Sequence, residues 1–312
     1  MATKFSELLK ASMKSEDTEE WIDIYFTRPI GLAFALMWKA LGVHPNAITI
    51  LSIFLGLGAG YMFYFPDIEH NIWGVVLLMF ANFCDSTDGQ LARLTGQKTL
   101  VGRMLDGFSG DVWFFAIYLA IALRLMDEPL PFLDNITWGY WGFVLCLVAG
   151  FLCHSPQSSL SDYYRQIHLF FLLGKKGSEL DDYESQRAIY DKMPWKGNFW
   201  AKIFYYNYAN YCRSQEKRTP EFQALYKVIR LRWPNTEDIP QTLRDEFRHN
   251  SLPLMKFTNQ LTFNQRAIMI YVFCLAGVPY LYPIIEITVF SAIYSYMHRT
   301  HENFCKQLCG SL

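Results

Sequence analysis

Four aspartates, Asp85, Asp88, Asp106 and Asp111, fall within two long apolar runs of the chain. A carboxylate at the centre of a bilayer costs about 2.5–3.5 kcal/mol on insertion scales. Acids in such runs therefore need a cation, a basic partner or a water-filled cavity to offset that cost. The bland alternative is a set of helix-end carboxylates solvated by head-group water, and the convergence of four acids on one short stretch argues against it.

Six apolar runs approach the roughly 20 residues needed to cross a bilayer. They are placed at 46–65, 70–92, 102–126, 137–157, 263–280 and 282–300, and a further apolar stretch covers 30–43. In the second run the purely apolar part, Ile72–Cys84, is too short to span alone. The helix is therefore expected to continue through Asp85 and Asp88 toward Arg93. The expected fold is all-α, a polytopic membrane helical bundle with six transmembrane helices. Phe5, Leu8, Leu9 and Met13 recur at helical spacing, with Trp21, Ile24 and Tyr25 following. An amphipathic N-terminal helix on the membrane surface fits this pattern, and so does a helix packed on the protein. Four segments result: an interfacial segment 1–45, spans one to four with the acidic motif over 46–157, an aqueous helical insertion over 158–262, and spans five and six with a tail over 263–312.

Composition agrees with this plan. The 312 residues are 52% hydrophobic with a net charge of −1, apolar for an aqueous domain and polar for a pure membrane bundle. Balanced charge argues against a nucleic-acid partner. The seven cysteines contain no CxxC pair and read as packing residues in a reducing compartment. Lys and Arg concentrate in the N-terminus, the 93–103 connection, the 158–262 segment and the tail. The loops 66–70 and 126–135 have none. Both termini and the acidic motif are thus expected on the cytoplasmic side, with Arg124 the one residue against the rule. The 158–262 segment combines basic residues with Trp195, Phe199, Trp200, Phe204 and Tyr205, a composition that suits docking at a membrane face or the core of a small subdomain.

On a helix, positions 85, 88, 89 and 92 share one face, and Asp106 arrives from the next helix after a turn around Gly96. Hard carboxylate ligands from two helices suit Mg²⁺ or Mn²⁺, and two ions would clamp a pyrophosphate. Gly89 and Ala92 remove bulk, and Arg93 offers a guanidinium fork for phosphate. A cation transporter using Asp85, Asp88 and Asp106 as a relay is the alternative outside enzymes, although it has no need of the Gly89, Ala92 and Arg93 pattern.

These residues resemble the CDP-alcohol phosphotransferase family, whose signature is D-x-x-D-G-x-x-A-R-x8-G-x-x-x-D-x-x-x-D. Asp85, Asp88, Gly89, Ala92, Arg93, Gly102 and Asp106 match it, spacer included. The six-span plan and the Pro45-Asn46-x-x-Thr49 entry to the first span look similar too, so the resemblance is expected to cover about two thirds of the chain. It implies an integral membrane enzyme of phospholipid biosynthesis. An acceptor hydroxyl would attack a CDP-linked lipid donor and CMP would leave. By the same resemblance Asp85, Asp88 and Asp106 hold two ions of Mg²⁺ or Mn²⁺. Asp85, Gly89, Ala92, Arg93, Gly102 and Thr49 meet the CDP group. The enzyme would be a multi-pass homodimer, in the inner membrane if bacterial.

The signature's fourth aspartate falls on Gly110, with Asp111 one residue later. In the family that residue is commonly the general base for the acceptor hydroxyl, or a further metal ligand. A one-residue shift turns a helical side chain by about 100°, and a π-bulge at Gly107 or Gly110 is expected to redirect Asp111 so that it serves as the base. Otherwise the role passes to Asp106 or to a metal-bound hydroxide. A catalytically lapsed scaffold is the third reading. Phe26-Thr-Arg28-Pro29-Ile30 and Gly42-Val-His-Pro45-Asn46 look more like members that join inositol or inositol phosphate to CDP-diacylglycerol. Lys98, Arg103 and Arg165 are the candidate ligands for an acceptor phosphate. Transfer from CDP-choline or CDP-ethanolamine to a ceramide or diacylglycerol is the alternative.

Overall fold

The computed structural model describes Phe5, Glu7–Leu9, Ser15 and residues 17–312 except Lys98. It is almost wholly helical and divides into two compact units. The first is Met1–Pro156 with Phe263–Val289, and the second is Gln157–Thr262 with Phe290–Leu312.

In the first unit a π-helical turn, Asp23–Thr27, leads into α1 (Arg28–Ala40). Helix α2 (Pro45–Phe63) starts where His44 caps the Asn46 amide and Pro45 fills the first turn, the position at which proline's missing N–H is harmless. Helix α3 (Ile68–Thr95) is capped by Asp67 through the His70 amide and ends at Gly96, which adopts the left-handed conformation at φ +69°. Helix α4 (Leu100–Leu125) begins at Thr99, whose hydroxyl accepts from the Gly102 amide. The expected continuation of the second apolar run through both aspartates is therefore present. A two-stranded antiparallel hairpin, β1 (Pro129–Leu130) and β2 (Leu133–Thr137), interrupts the all-α plan. Helix α5 (Tyr140–Leu147) continues through a π-helical stretch, Val148–His154, into α6 (Ser155–Leu173).

The second unit adds α7 (Tyr183–Lys192), α8 (Phe199–Arg218), α9 (Pro220–Arg232) and α10 (Gln241–Gln260). The chain then returns to the first unit as α11 (Phe263–Leu275) and the short α12 (Leu281–Ile285). Its last helix, α13 (Ser291–Ser311), belongs to the second unit. That unit has its own aromatic core, in which Tyr164 stacks on His301 and Phe171 on Phe247.

Among the described residues, three stretches are long and apolar enough to cross a membrane: Pro45–Phe63, Leu100–Leu125 and Tyr140–Leu173. That is half the expected number. Helix α3 has the length, but it carries Glu69, Asp85, Asp88 and Arg93. Helix α11 has 13 residues, about 20 Å at 1.5 Å per residue, which is short of the roughly 30 Å hydrocarbon core. The last expected span is helical without a gap through a π-helical segment, Glu286–Phe290, into α13, and carries the buried Glu286 within it. Of the expected N-terminal helix, Phe5 and Glu7–Leu9 are helical, whereas Met13 lies outside the described residues. Among the described residues all seven cysteines are free.

Arg124 is buried rather than anchored in water. Its guanidinium donates to Glu128 Oε1 at 2.6 Å, to the Phe65 carbonyl at 3.2 Å and to Asn71 Oδ1 at 3.2 Å. Paired in this way it needs no cytoplasmic side, which explains its departure from the charge rule. Arg266 and Glu286 form a second, fully buried pair at 2.9 Å.

The core of the first unit is set by close approach of α2 to α4 along small residues, a usual device of membrane helices. A Cβ on Gly56 would lie 1.9 Å from the Trp113 ring, and one on Gly60 would lie 2.7 Å from Ala116 Cβ and 3.0 Å from its carbonyl carbon. Backbone cannot step aside as a flexible side chain can. Gly60→Val is therefore expected to destabilise the protein by about 2 kcal/mol or more, read as a lowered thermal midpoint in detergent. Gly58→Ala is the control. It meets only Leu77 Cδ1, at 3.4 Å, and should leave the midpoint nearly unchanged.

Candidate metal and nucleotide site

The tight turn between α3 and α4 decides the site. Asp88 sits seven residues before the end of α3, and Asp106 six residues into α4. At 1.5 Å per residue both lie about 10 Å from the turn, so two antiparallel helices bring them level. Asp85, Asp88 and Asp106 each offer a carboxylate oxygen, and these oxygens all lie within 4.8 Å of one another. Burial is graded: Asp88 is buried, Asp85 is half-buried and Asp106 is exposed.

Two hydroxyls orient the acids. Thr49 donates a short hydrogen bond from α2 to Asp88 Oδ2. Ser109 donates to Asp85 Oδ1 at 3.1 Å and approaches the Asp106 carbonyl at 2.8 Å. Outer hydrogen bonds of this kind fix ligand orientation at metal sites. Three carboxylates this close repel one another, and a hard divalent cation both relieves the repulsion and prefers such oxygens. The residues therefore fit Mg²⁺ or Mn²⁺, with Asp85, Asp88 and Asp106 as the holders.

The remaining motif residues surround the acids. A Cβ on Gly89 would meet nothing nearer than the Arg93 guanidinium at 3.6 Å, so the helix surface beside Asp85 and Asp88 is bare. Ala92, half-buried on that face, keeps it shallow. Gly102 has a packing reason of its own, since a Cβ there would lie 2.9 Å from Asn46 Oδ1. Arg93 lies within electrostatic range of Asp88, Asp106, Arg28 and Glu19.

Arg28 is the functional candidate that the motif does not reveal. It opens α1, acts electrostatically on Asp85 and Arg93, and forms an ion pair with Glu19 through Nη2–Oε1 at 3.0 Å and Nε–Oε2 at 3.3 Å. Gln90 of α3 donates to the Arg28 carbonyl at 3.1 Å, and Thr87 donates to the Gly31 carbonyl at 3.3 Å. These bonds hold α1 on α3 next to the acids. Two guanidiniums beside three carboxylates suit a ligand carrying phosphates bridged to a metal. The only hint in the sequence was an arginine preceding a proline.

The candidate acceptor cations separate. Arg103 is exposed one helical turn before Asp106. Arg165 belongs to the second unit, where it donates to Asn259 Oδ1 at 2.5 Å. Lys98 lies outside the described residues.

The bulge expected at Asp111 does not form. Helix α4 is regular from Leu100 to Leu125 despite Gly107 and Gly110, because its hydrogen-bond ladder continues unbroken through both glycines. Five residues of regular helix turn Asp111 about 140° away from Asp106. It instead lines a separate cavity of about 400 Å³ with Phe108, Phe115, Tyr118, Phe151 and His154. Gly110, one turn beyond Asp106, faces open space, with nothing within 4 Å of a Cβ built on it.

The family model described as CDP-alcohol phosphatidyltransferase matches residues 42–155. The match begins just before α2 and takes in α3, α4 and the whole three-aspartate cluster. It is narrower than the two thirds expected, because α11 to α13 and the second unit lie outside it. The archaetidylinositol phosphate synthase of Pyrococcus horikoshii is 34% identical over 84 residues, covering 27% of this chain and 43% of that protein. The phosphatidylinositol phosphate synthase of Streptomyces avermitilis is 32% identical over 99 residues, covering 32% of this chain and 39% of that protein. A Mycobacterium tuberculosis protein whose name proposes cardiolipin synthesis is 30% identical over 105 residues, 28% of this chain and 49% of its own. The chain thus spans less than half the length of the curated relatives it matches.

The regular helix makes a sharp prediction. Asp111→Asn should leave catalytic turnover within about twofold of the parent, whereas loss of a general base costs roughly 10²–10⁴-fold. The measurement is steady-state CMP release, and a large fall would place Asp111 in the reaction after all. Gly110→Asp should fold normally, since its side chain enters open space.

Proposed function

We propose that this chain is an integral membrane transferase that moves a phosphatidyl group from a CDP-linked lipid, CDP-diacylglycerol, to the hydroxyl of inositol or inositol phosphate, releasing CMP. The single observation that carries this reading is the three-carboxylate cluster, built by the motif helices and held by Thr49 and Ser109. The family match and the inositol phosphate synthases among the relatives support the reaction class and the inositol-type acceptor.

In this reading Asp85, Asp88 and Asp106 hold two divalent ions. Such ions supply charge stabilisation on the pyrophosphate and on departing CMP. Gly89 and Ala92 let the cytidine side of the donor lie against α3. Arg93 and Arg28 take phosphate oxygens, and Glu19, which holds Arg28 by an ion pair, keeps that guanidinium extended. The acceptor oxygen attacks the β-phosphorus, a P–O bond forms to it, and the bond to CMP breaks. With Asp111 turned away, the exposed Asp106 is the carboxylate placed to receive the acceptor's proton. Arg103 is the cation retained for an acceptor phosphate.

The membrane plan completes around this chemistry. The three apolar stretches have the length and apolarity to span the bilayer, and in this reading α3 crosses beside them, with the site and both termini on the cytoplasmic side. Function as a homodimer belongs to the same reading. A cation relay would have no use for two guanidiniums among its acids, which favours the nucleotide-lipid site over a transporter.

Purified protein in lipid nanodiscs, given metal and a panel of CDP-lipids and alcohols with CMP as readout, tests the assignment. CDP-diacylglycerol with inositol phosphate should give the fastest release. A preference for CDP-choline with ceramide or diacylglycerol would reassign both substrates. Chelation of divalent metal should abolish release, and Mg²⁺ or Mn²⁺ should restore it. Asp85→Asn, Asp88→Asn and Asp106→Asn should each lower turnover by at least about 10²-fold while the protein still inserts. Near-parental turnover in any of them would remove that residue from the metal set.

A further inference from the structure

The second unit carries a feature that the transfer reaction leaves unused. Helices α7 and α8 form a hairpin; the loop between them, residues 193–198, carries Trp195 and leads into Phe199 and Trp200, and the three are 52%, 54% and 72% exposed. Their rings form one contiguous patch, with centroids 6.0 Å apart between Trp195 and Phe199 and 5.2 Å apart between Phe199 and Trp200. Tyr206, 47% exposed, extends the aromatic face along α8.

The loop is tied down rather than loose. Lys202, almost wholly buried, donates to the Met193 carbonyl at 2.6 Å and lies over the Tyr190 and Trp195 rings at 4.5 and 5.1 Å. The Asn198 amide donates to the Trp195 carbonyl at 3.2 Å, and its side chain donates to the Pro194 carbonyl at 3.3 Å. Gly197 takes φ +82°, which lets the chain reverse between the two helices. The fold therefore fixes two tryptophans and a phenylalanine outward, against the hydrophobic cost of exposing them.

We propose that this hairpin tip docks on the surface of the membrane, with Trp195, Phe199 and Trp200 seated in the head-group layer and Lys192 and Lys196 reaching anionic lipid phosphates. The chemistry selects lipid over a protein partner. Tryptophan and tyrosine concentrate where hydrocarbon meets water, and lysines beside them supply charge complementary to anionic head groups. The nearest acid on α7, Asp191, is engaged by Arg187 at 3.1 Å and does not neutralise those lysines. The unit is joined by its own chain to apolar membrane-spanning stretches, so the tip meets lipid at high effective concentration. The inference rests on the membrane-spanning part of the functional reading, not on its substrates.

The test uses the full chain in nanodiscs of equal phosphatidylcholine and phosphatidylglycerol, with the photo-crosslinker benzoylphenylalanine placed at single sites. At Trp200 it should form lipid adducts enriched in phosphatidylglycerol, identified by mass spectrometry. At Asp245, exposed on α10 of the same unit, it should form few. Lys196→Gln combined with the Trp200 probe should lower the anionic adduct by about fivefold. Phe54 in α2, 67% exposed within an apolar stretch, is the control for insertion and must yield lipid adducts. Failure at Phe54 would overturn the spanning assignment. Adducts at Phe54 but none at Trp200, or adducts at Trp200 to protein in place of lipid, would overturn the docking proposal.

Discussion

Mutual repulsion among three carboxylates is the constraint around which the first unit is organised. Asp85, Asp88 and Asp106 are forced to one level by the short α3–α4 turn, whose ends are set by Gly96 and Thr99. Nothing in the hydrophobic core favours that arrangement, so it must be held by geometry. The gap-free seam of α2 on α4 at Gly56 and Gly60 fixes the height of Thr49, and Thr49 in turn fixes Asp88. Bonds from Gln90 and Thr87 to the α1 backbone bring Arg28 up to the acids. A packing change at the seam is thus transmitted to the ligand set without touching any carboxylate.

The motif was legible because its information is local. Two carboxylates one turn apart on a helix share a face whatever surrounds them, and a fixed spacer with a glycine turn returns the chain at a computable height. Arg28 was not legible, since its place beside Asp85 depends on how α1 lies across α3, and no spacing encodes that. The direction of Asp111 was beyond sequence for a related reason. Two glycines permit a bulge without requiring one, and the helix keeps its ladder unless something outside it gains from the break. Gly102 reads as part of a nucleotide motif, yet its contact with Asn46 gives it a packing role that only the tertiary structure exposes.

The number of spans was less legible than the motif, for a physical reason as well. Mean apolarity cannot separate a helix that crosses lipid from one that is buried against protein. The run 263–280 reads as a span, but its helix stops at Leu275, and it holds Arg266 against Glu286 in an ion pair without solvent. Helix α3 is the opposite case. Its length suffices, and its polar end lowers its apolarity because that end builds the site.

Helix α4 shows how a one-residue shift divides chemistry between two faces. Asp106, Ser109 and Gly110 lie toward the carboxylate cluster, while Phe108, Asp111, Phe115 and Tyr118 line the cavity on the other side. An aspartate at 110 would enter the open space beside Asp106, and glycine leaves that space open. Asp106 is exposed, and in the proposed reaction it would carry ligand and proton-accepting duties together. An acceptor that brings its own negative charge would be repelled there unless Arg28, Arg93 and Arg103 outweighed the acids. The electrostatic character of this site is therefore set by the balance between three guanidiniums and three carboxylates, not by any single residue of the motif.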